Sequence, residues 1–146
     1  MVIRIYGYER SSNTQKVWWL CDELGVPFET ILKGGQYSGH KAAEYLLLNP
    51  NGQIPTIDDD GFVMWESAAI NFYLAEKYKS PLLPPDMASK GRALQWAFFI
   101  SNDVEADMIL VFQHRFRFPP EKRNAKLADE AEPKLLAKMQ VLEDHL

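Results

Sequence analysis

Three prolines fall within the six residues Ser80-Pro81-Leu82-Leu83-Pro84-Pro85, and that segment separates two kinds of sequence. Before it, short β-rich runs alternate with amphipathic stretches. After it there is no strand signal at all. A chain ordered in this way is expected to fold as an α/β domain over residues 1–79, a linker over 80–86 and an all-helical region over 87–146.

The first part reads as follows. Residues 2–6 form a β-rich run ended by Gly7, the pattern of a strand. The polar stretch Glu9-Arg10-Ser11-Ser12-Asn13 then offers several helix N-caps. Val17, Leu20, Cys21 and Leu24 follow at the spacing of one helix face, and Gly25 with Pro27 stops that helix. Residues 28–32 predict a second strand, parallel to the first because a helix joins them. Gly34-Gly35 breaks the chain, and a helix is expected over 38–48. Residues 54–57 and 62–65 predict strands joined by Asp58-Asp59-Asp60-Gly61, a hairpin turn. Ser67 is expected to cap a helix that buries Ile70, Tyr73, Leu74 and Tyr78. The predicted order is βαβ-α-ββα.

In the second part, residues 88–115 predict a long helix. A second follows the Phe118-Pro119-Pro120 break, with Pro133 at its effective start or at a kink. Its face carries Leu135, Met139, Leu142 and Leu146, and no later segment of the sequence is there to bury them. Either another chain covers that stripe or the sequence is a piece of a longer protein, the second being expected. The aromatic residues Trp96, Phe98, Phe99, Phe112, Phe116 and Phe118 stand at helical spacing, which favours core or dimer packing over a ligand pocket.

Composition removes several function classes. Apolar residues make up 47% and charged residues 25%, enough for a packed core. The net charge is −4, and neither half carries the basic excess that nucleic-acid binding needs. No apolar run reaches the ~18 residues of a membrane-spanning helix, and Met1-Val2-Ile3-Arg4-Ile5 lacks the features of a signal peptide. The single cysteine, Cys21, excludes an intramolecular disulfide and a CxxC redox or zinc site. A cytoplasmic protein without a metal is the expectation.

The βαβ-α-ββα order, the segment Asn49-Pro50-Asn51-Gly52-Gln53-Ile54-Pro55-Thr56 and the run Trp65-Glu66-Ser67 together resemble the N-terminal domain of glutathione S-transferases. The first segment matches the family's N-P-x-G-x-[VI]-P signature and the second its E-S pair about a dozen residues later. Within the family, the stretch from Arg10 to Val17 is most similar to the serine-type classes (theta, delta and zeta) and related bacterial enzymes. The resemblance implies a thioredoxin-like domain followed by the first helices of an all-α domain. It also implies glutathione as co-substrate, a small electrophile as second substrate, and a homodimer. The family's later helices, with their buried capping motif, have no counterpart in this sequence.

The resemblance assigns chemistry residue by residue. A free thiol titrates near ~8.5, and lowering that by about two units takes roughly 2.7 kcal/mol of thiolate stabilisation. A helix N-terminus supplies about 0.3–1 kcal/mol, and a hydrogen bond to a charged group about 1.5–3. One hydroxyl at a helix start therefore suffices. Ser11 stands where the serine-type classes place it, with Ser12 and the Asn13 amide as neighbouring alternatives. Other classes use a tyrosine near this turn. Here Tyr6 reads as core, and Tyr8 either as a phenol that donates the same bond or as a residue of the second-substrate pocket. Ile54-Pro55 resembles the family's cis-proline turn, which would pair its backbone with the cysteinyl residue of glutathione. Gln53 would also contact the peptide, Glu66 would face its ammonium, and Ser67 with the helix N–H groups would receive the γ-glutamyl carboxylate. His40 would meet the glycyl carboxylate.

The implied function is conjugation of glutathione to an electrophile. The family also holds serine-type isomerases, dehalogenases and peroxidases. The rival is a non-catalytic module that uses the same fold for protein association, binding glutathione weakly or not at all, or a truncated, inactive member of the family. A thiol-disulfide oxidoreductase is disfavoured, because Ser11-Ser12-Asn13-Thr14 stands where its cysteines belong.

Overall fold

A computed structural model describes residues 2–146, which divide into two compact units, one ending at Pro84 and one running from Pro85 to Leu146. In the first unit β1 (Ile3–Gly7), α1 (Ser12–Leu24), β2 (Phe28–Leu32), α2 (Ala43–Leu46), β3 (Thr56–Asp59), β4 (Phe62–Trp65) and α3 (Ser67–Lys77) follow one another. The sheet order is β2-β1-β3-β4. β1 and β2 are parallel, with Ile5 opposite Thr30, while β3 runs antiparallel to both β1 and β4. This mixed sheet with its helices is the thioredoxin-like arrangement that the sequence predicts.

Strand periodicity decides which face carries which helix. Ile3, Ile5 and Ile57 point into one cluster with Val17 and Cys21 of α1 and with Ile70 and Leu74 of α3. Each such buried side chain contributes about 1.5–3 kcal/mol relative to exposure, so this face anchors the unit. Tyr6 meets Tyr45 of α2 edge to face, with ring centroids 5.9 Å apart. α1 begins at Ser11, whose Oγ accepts from the Thr14 N–H at 3.3 Å, and ends at Gly25 in the left-handed region.

Four local expectations are corrected. The helix expected over 38–48 is a 3-10 turn at Gly35–Tyr37 and the single-turn α2. Gly34, Gly35, Ser38 and Gly39 all have positive φ there, which no helix tolerates. The third strand begins at Thr56 rather than Ile54, because Pro55 has no N–H to donate to a ladder; the Ile54-Pro55 peptide is cis. The cap of α3 is Glu66, at φ 75°, and Ser67 is the first helical residue. Pro133 lies well inside its helix rather than at its start.

The second unit is helical. α4 (Met87–Phe98), a π-helical stretch (Phe99–Val104), α5 (Glu105–Phe112) and a second π stretch (Gln113–Arg117) run as one interrupted rod, capped by Asp86 Oδ1 on the Ser89 N–H. α6 (Ala125–Glu143) packs against α5, burying Ala128 and Ala131, small residues that allow close approach. Lys138 bonds Asp107 at 2.6 Å, and Arg115 bonds Asp129 at 2.5 Å and Glu132 at 3.1 Å, which makes the pair antiparallel. These ties lie on both sides of Pro133, so tertiary contacts carry the helix through a residue that costs about 3 kcal/mol in a helix interior. No helix of the described residues is long and apolar enough to cross a membrane.

Candidate functional site

The site begins with a buried polar knot beneath the turn at 49–55. Asn49, 1% exposed, donates from Nδ2 to the Gln53 carbonyl at 3.0 Å and to Thr56 Oγ1 at 3.1 Å. Its Oδ1 accepts from the Asn51 N–H at 3.0 Å. Tyr45, also 1% exposed, donates its hydroxyl to the same Gln53 carbonyl at 2.6 Å and lies 2.8 Å from Thr56 Oγ1. Burial pushes the Tyr45 phenol above its ordinary value, against the opposing effect of its Thr56 and Asn49 partners. Buried polar groups of this kind persist only when satisfied, so the knot fixes one backbone path through Gln53. Gly52 is required in it. Its φ is 57°, and an added Cβ would lie 2.8 Å from the His40 carbonyl oxygen.

Gly7 performs the corresponding service at the other wall. A Cβ there would lie 2.4 Å from Thr14 Oγ1, so the glycine lets the end of β1 approach the first turn of α1. Asn13 in that turn reaches α3, and its Oδ1 accepts from Ser67 Oγ at 3.3 Å and from Lys16 Nζ at 2.9 Å. Glu66 holds a positive φ without being glycine, a conformation that costs of order 1–3 kcal/mol and concentrates at ligand sites.

These elements enclose a cavity of about 150 Å³. Gln53, Ile54 and Pro55 form one side, and Glu66 and Ser67 another. Asn13 and Asn49 complete the wall. The first N–H groups of α3 belong to Ser67 and its successors, and the helical bonding begins only with Ile70 N–H to the Glu66 carbonyl. Those orphan donors make the start of α3 an anion-favouring surface. The cavity therefore combines an anion-favouring helix start, a carboxylate and the amide side chains of Asn13, Asn49 and Gln53.

The other sequence-predicted residues are placed differently. Ser11 is half-buried as the cap of α1, two residues before Asn13, and Ser12 is exposed on the first turn. Neither lines the cavity wall. Tyr8 does not line it either. Its ring is buried against Gly35, where a Cβ would lie 2.4 Å from Tyr8 Cζ, and it meets Tyr37 edge to face. His40, half-buried, does not line the cavity; its carbonyl lies beside Gly52, and its Nδ1 has no hydrogen-bond partner among the described residues. Cys21 is buried in the core, where desolvation, then the Asp22 charge, pushes its thiol up to about 11.

Sequence reasoning missed Tyr45, Asn49 and Lys16. Asn49 was visible inside the Asn-Pro-x-Gly segment. Tyr45, four residues before it, carried the only other signal: a lone aromatic before a turn rich in backbone groups to satisfy. No group of three or more His, Cys, Asp or Glu side chains comes together among the described residues.

Comparison with known proteins gives this geometry its family. A model described as "Glutathione S-transferase, N-terminal domain" matches residues 10–77. The chain is 32% identical to glutathione S-transferase GstB of Escherichia coli K12 over 131 residues, 88% of this chain and 63% of that protein. The chain thus spans under two thirds of that relative's length. It is 33% identical to glutathione S-transferase F9 of Arabidopsis thaliana over its full length, covering 70% of that protein. The theta-class glutathione S-transferase of Xanthomonas axonopodis pv. citri, solved with glutathione bound, superposes with a TM-score of 0.87 at 32% identity. That match covers 92% of this chain and 65% of the other. The chain belongs to the glutathione S-transferase family.

Proposed function

We propose that the chain binds glutathione in the cavity between Asn13, the Gln53–Pro55 turn and the start of α3, and conjugates it to a small electrophile. The observation that carries this reading is the cavity itself, which brings the three sequence segments together at a helix N-terminus. The backbone of Ile54, which lines the cavity, pairs with the cysteinyl residue. Ser67 turns its one hydroxyl proton from Asn13 Oδ1 to the γ-glutamyl carboxylate, beside the α3 N–H groups, and Glu66 faces the ammonium. Gln53 adds a peptide contact, and His40 meets the glycyl carboxylate. Residues 1–79 are then the glutathione-binding domain, and 87–146 the first helices of the second domain.

At the thiol, the Ser11 hydroxyl accepts from the Thr14 N–H and keeps its own O–H to donate to the sulfur. Asn13 Nδ2 is the second donor from the same helix start. The thiol proton leaves to solvent, and the thiolate attacks the electrophilic carbon while the displaced group departs with its bonding electrons. Loss of one hydrogen bond to the thiolate costs about 1.5–3 kcal/mol. Ser11→Ala and Asn13→Ala are therefore expected to lower turnover roughly 10–100-fold with glutathione affinity little changed. A sharp loss in Tyr8→Phe, with both of those variants unaffected, contradicts the assignment.

A cytoplasmic homodimer acting in detoxification completes the proposal. Phe98, Phe112 and Phe116 of the helical unit are each at least half exposed, a surface that favours a partner. Sedimentation at micromolar concentration tests it, and a folded monomer contradicts it. The rival reading, a non-catalytic association module, predicts a folded dimer that takes no glutathione.

A further inference from the structure

We propose that Lys16 is the positioning residue that orients the Asn13 amide toward the glutathione sulfur. The inference rests on the glutathione-binding reading above. An asparagine side chain presents an oxygen on one side and an NH₂ on the other, and its environment decides which faces where. Two groups touch the Asn13 oxygen. Ser67 Oγ lies 3.3 Å away and Lys16 Nζ 2.9 Å away. They are not equivalent. A hydroxyl donates or accepts, so Ser67 is satisfied by either orientation of the amide. An ammonium only donates, so Lys16 admits the oxygen alone and turns Nδ2 away from itself. Asn13 lies in the cavity wall, whereas Lys16 does not.

Lys16 reaches Asn13 from outside that cavity. It lines a separate, mostly apolar groove of about 340 Å³ with Trp19, Leu20, Glu23, Asn71 and Leu82, Glu23 being the acidic residue there and accepting from Trp19 Nε1 at 2.9 Å. Its carbonyl accepts from Asn71 Nδ2 at 3.3 Å, which ties this turn of α1 to α3. The ammonium is half-buried, and desolvation lowers its pKa, the mark of a cation held by geometry rather than extended into water. A cation this close to the amide oxygen also polarises the amide and strengthens its N–H as a donor. Lys16 touches neither peptide nor sulfur in this arrangement. It acts through Asn13.

The test is the ionisation of bound glutathione, followed as thiolate ultraviolet absorbance against pH, with affinity measured in parallel by calorimetry. The wild-type chain is compared with Lys16→Met, Lys16→Arg, Asn13→Ala and the Asn13→Ala/Lys16→Met double variant, each checked for native circular dichroism. Lys16→Met is expected to raise the thiol midpoint by about one pH unit, a roughly tenfold loss of thiolate near neutrality, with affinity for glutathione kept. Lys16→Arg restores the wild-type midpoint, and in the Asn13→Ala background the Lys16 effect disappears. A Lys16→Met midpoint equal to wild type overturns the proposal, as does an effect of undiminished size without Asn13, or a Lys16→Met chain that does not fold while Lys16→Arg titrates like free glutathione. Those results leave glutathione activation standing if the wild-type midpoint is depressed. A wild-type midpoint like that of free glutathione removes both.

Discussion

Tyr45 and Gln53 are joined by a 2.6 Å hydrogen bond from phenol to main-chain carbonyl, and that bond links α2 to the turn that forms one side of the cavity. The same hydroxyl lies 2.8 Å from Thr56 Oγ1. Tyr45→Phe preserves the ring and its contact with Tyr6 while removing both polar interactions. Asn49 Nδ2 still serves the Gln53 carbonyl, so the loss is expected to be about 1–2 kcal/mol rather than that of a fully orphaned group. Urea denaturation should show that loss, and calorimetry a severalfold weaker affinity for glutathione. A variant as stable and as tight as wild type contradicts the role given to the knot.

Gly52→Ala tests the other constraint on the same turn. The native φ of 57° disfavours any Cβ, and the one added would meet the His40 carbonyl oxygen at 2.8 Å. The expected cost exceeds about 1 kcal/mol, read as a lower urea midpoint with an unchanged slope. Gly61→Ala is the comparison, because a Cβ there meets nothing within 4 Å and only the backbone penalty at φ 89° applies.

The third prediction concerns acid. Asp59 is buried, and desolvation alone would raise its carboxyl. Hydrogen bonds from Lys77 and Tyr73, with the Lys77 charge, outweigh that and hold it below the ordinary value. A depressed folded value means that this contribution is complete above the unfolded value of ~4 and is lost as pH falls through the lower, folded one. Asp59→Asn should therefore be less stable than wild type near neutrality. The difference should narrow as the pH is brought below about 4, followed by urea midpoints. A difference that stays constant across that range contradicts the ion pair's part in it.

Cys21 supplies a simple check on the core. A thiol raised to about 11 and packed among Ile3, Ile5 and Val17 is unreactive at neutral pH. An alkylating reagent should label it only at the rate of unfolding, and fast labelling of the native chain contradicts the packing.

What the sequence disclosed follows from where periodicity and local chemistry agree. Val17 and Cys21 recur on one helix face, and both lie at zero exposure. Asn49-Pro50-Asn51-Gly52 marked the site by its match to a family signature, not by periodicity. The helix expected over 38–48 shrank to the single turn of α2, because Ser38 and Gly39 at its expected start take positive φ. Of the two places expected for Pro133, the helix start is excluded, since the ties of Arg115 and Lys138 between α6 and its partner hold a helix on both sides of it. The site was legible as three segments but not as one surface. Ser67 meets Asn13 across 54 positions of sequence, and nothing local announces that meeting or the lysine that shares it.

The most direct test of the central claim is a calorimetric titration of the chain with reduced glutathione at neutral pH, alongside Ser67→Ala. The account predicts saturable one-to-one binding with a dissociation constant at or below ~1 mM, weakened at least severalfold in the variant as a hydroxyl contact to the γ-glutamyl carboxylate is lost. A folded chain that binds no glutathione, or binds it equally well without the Ser67 hydroxyl, contradicts the site described.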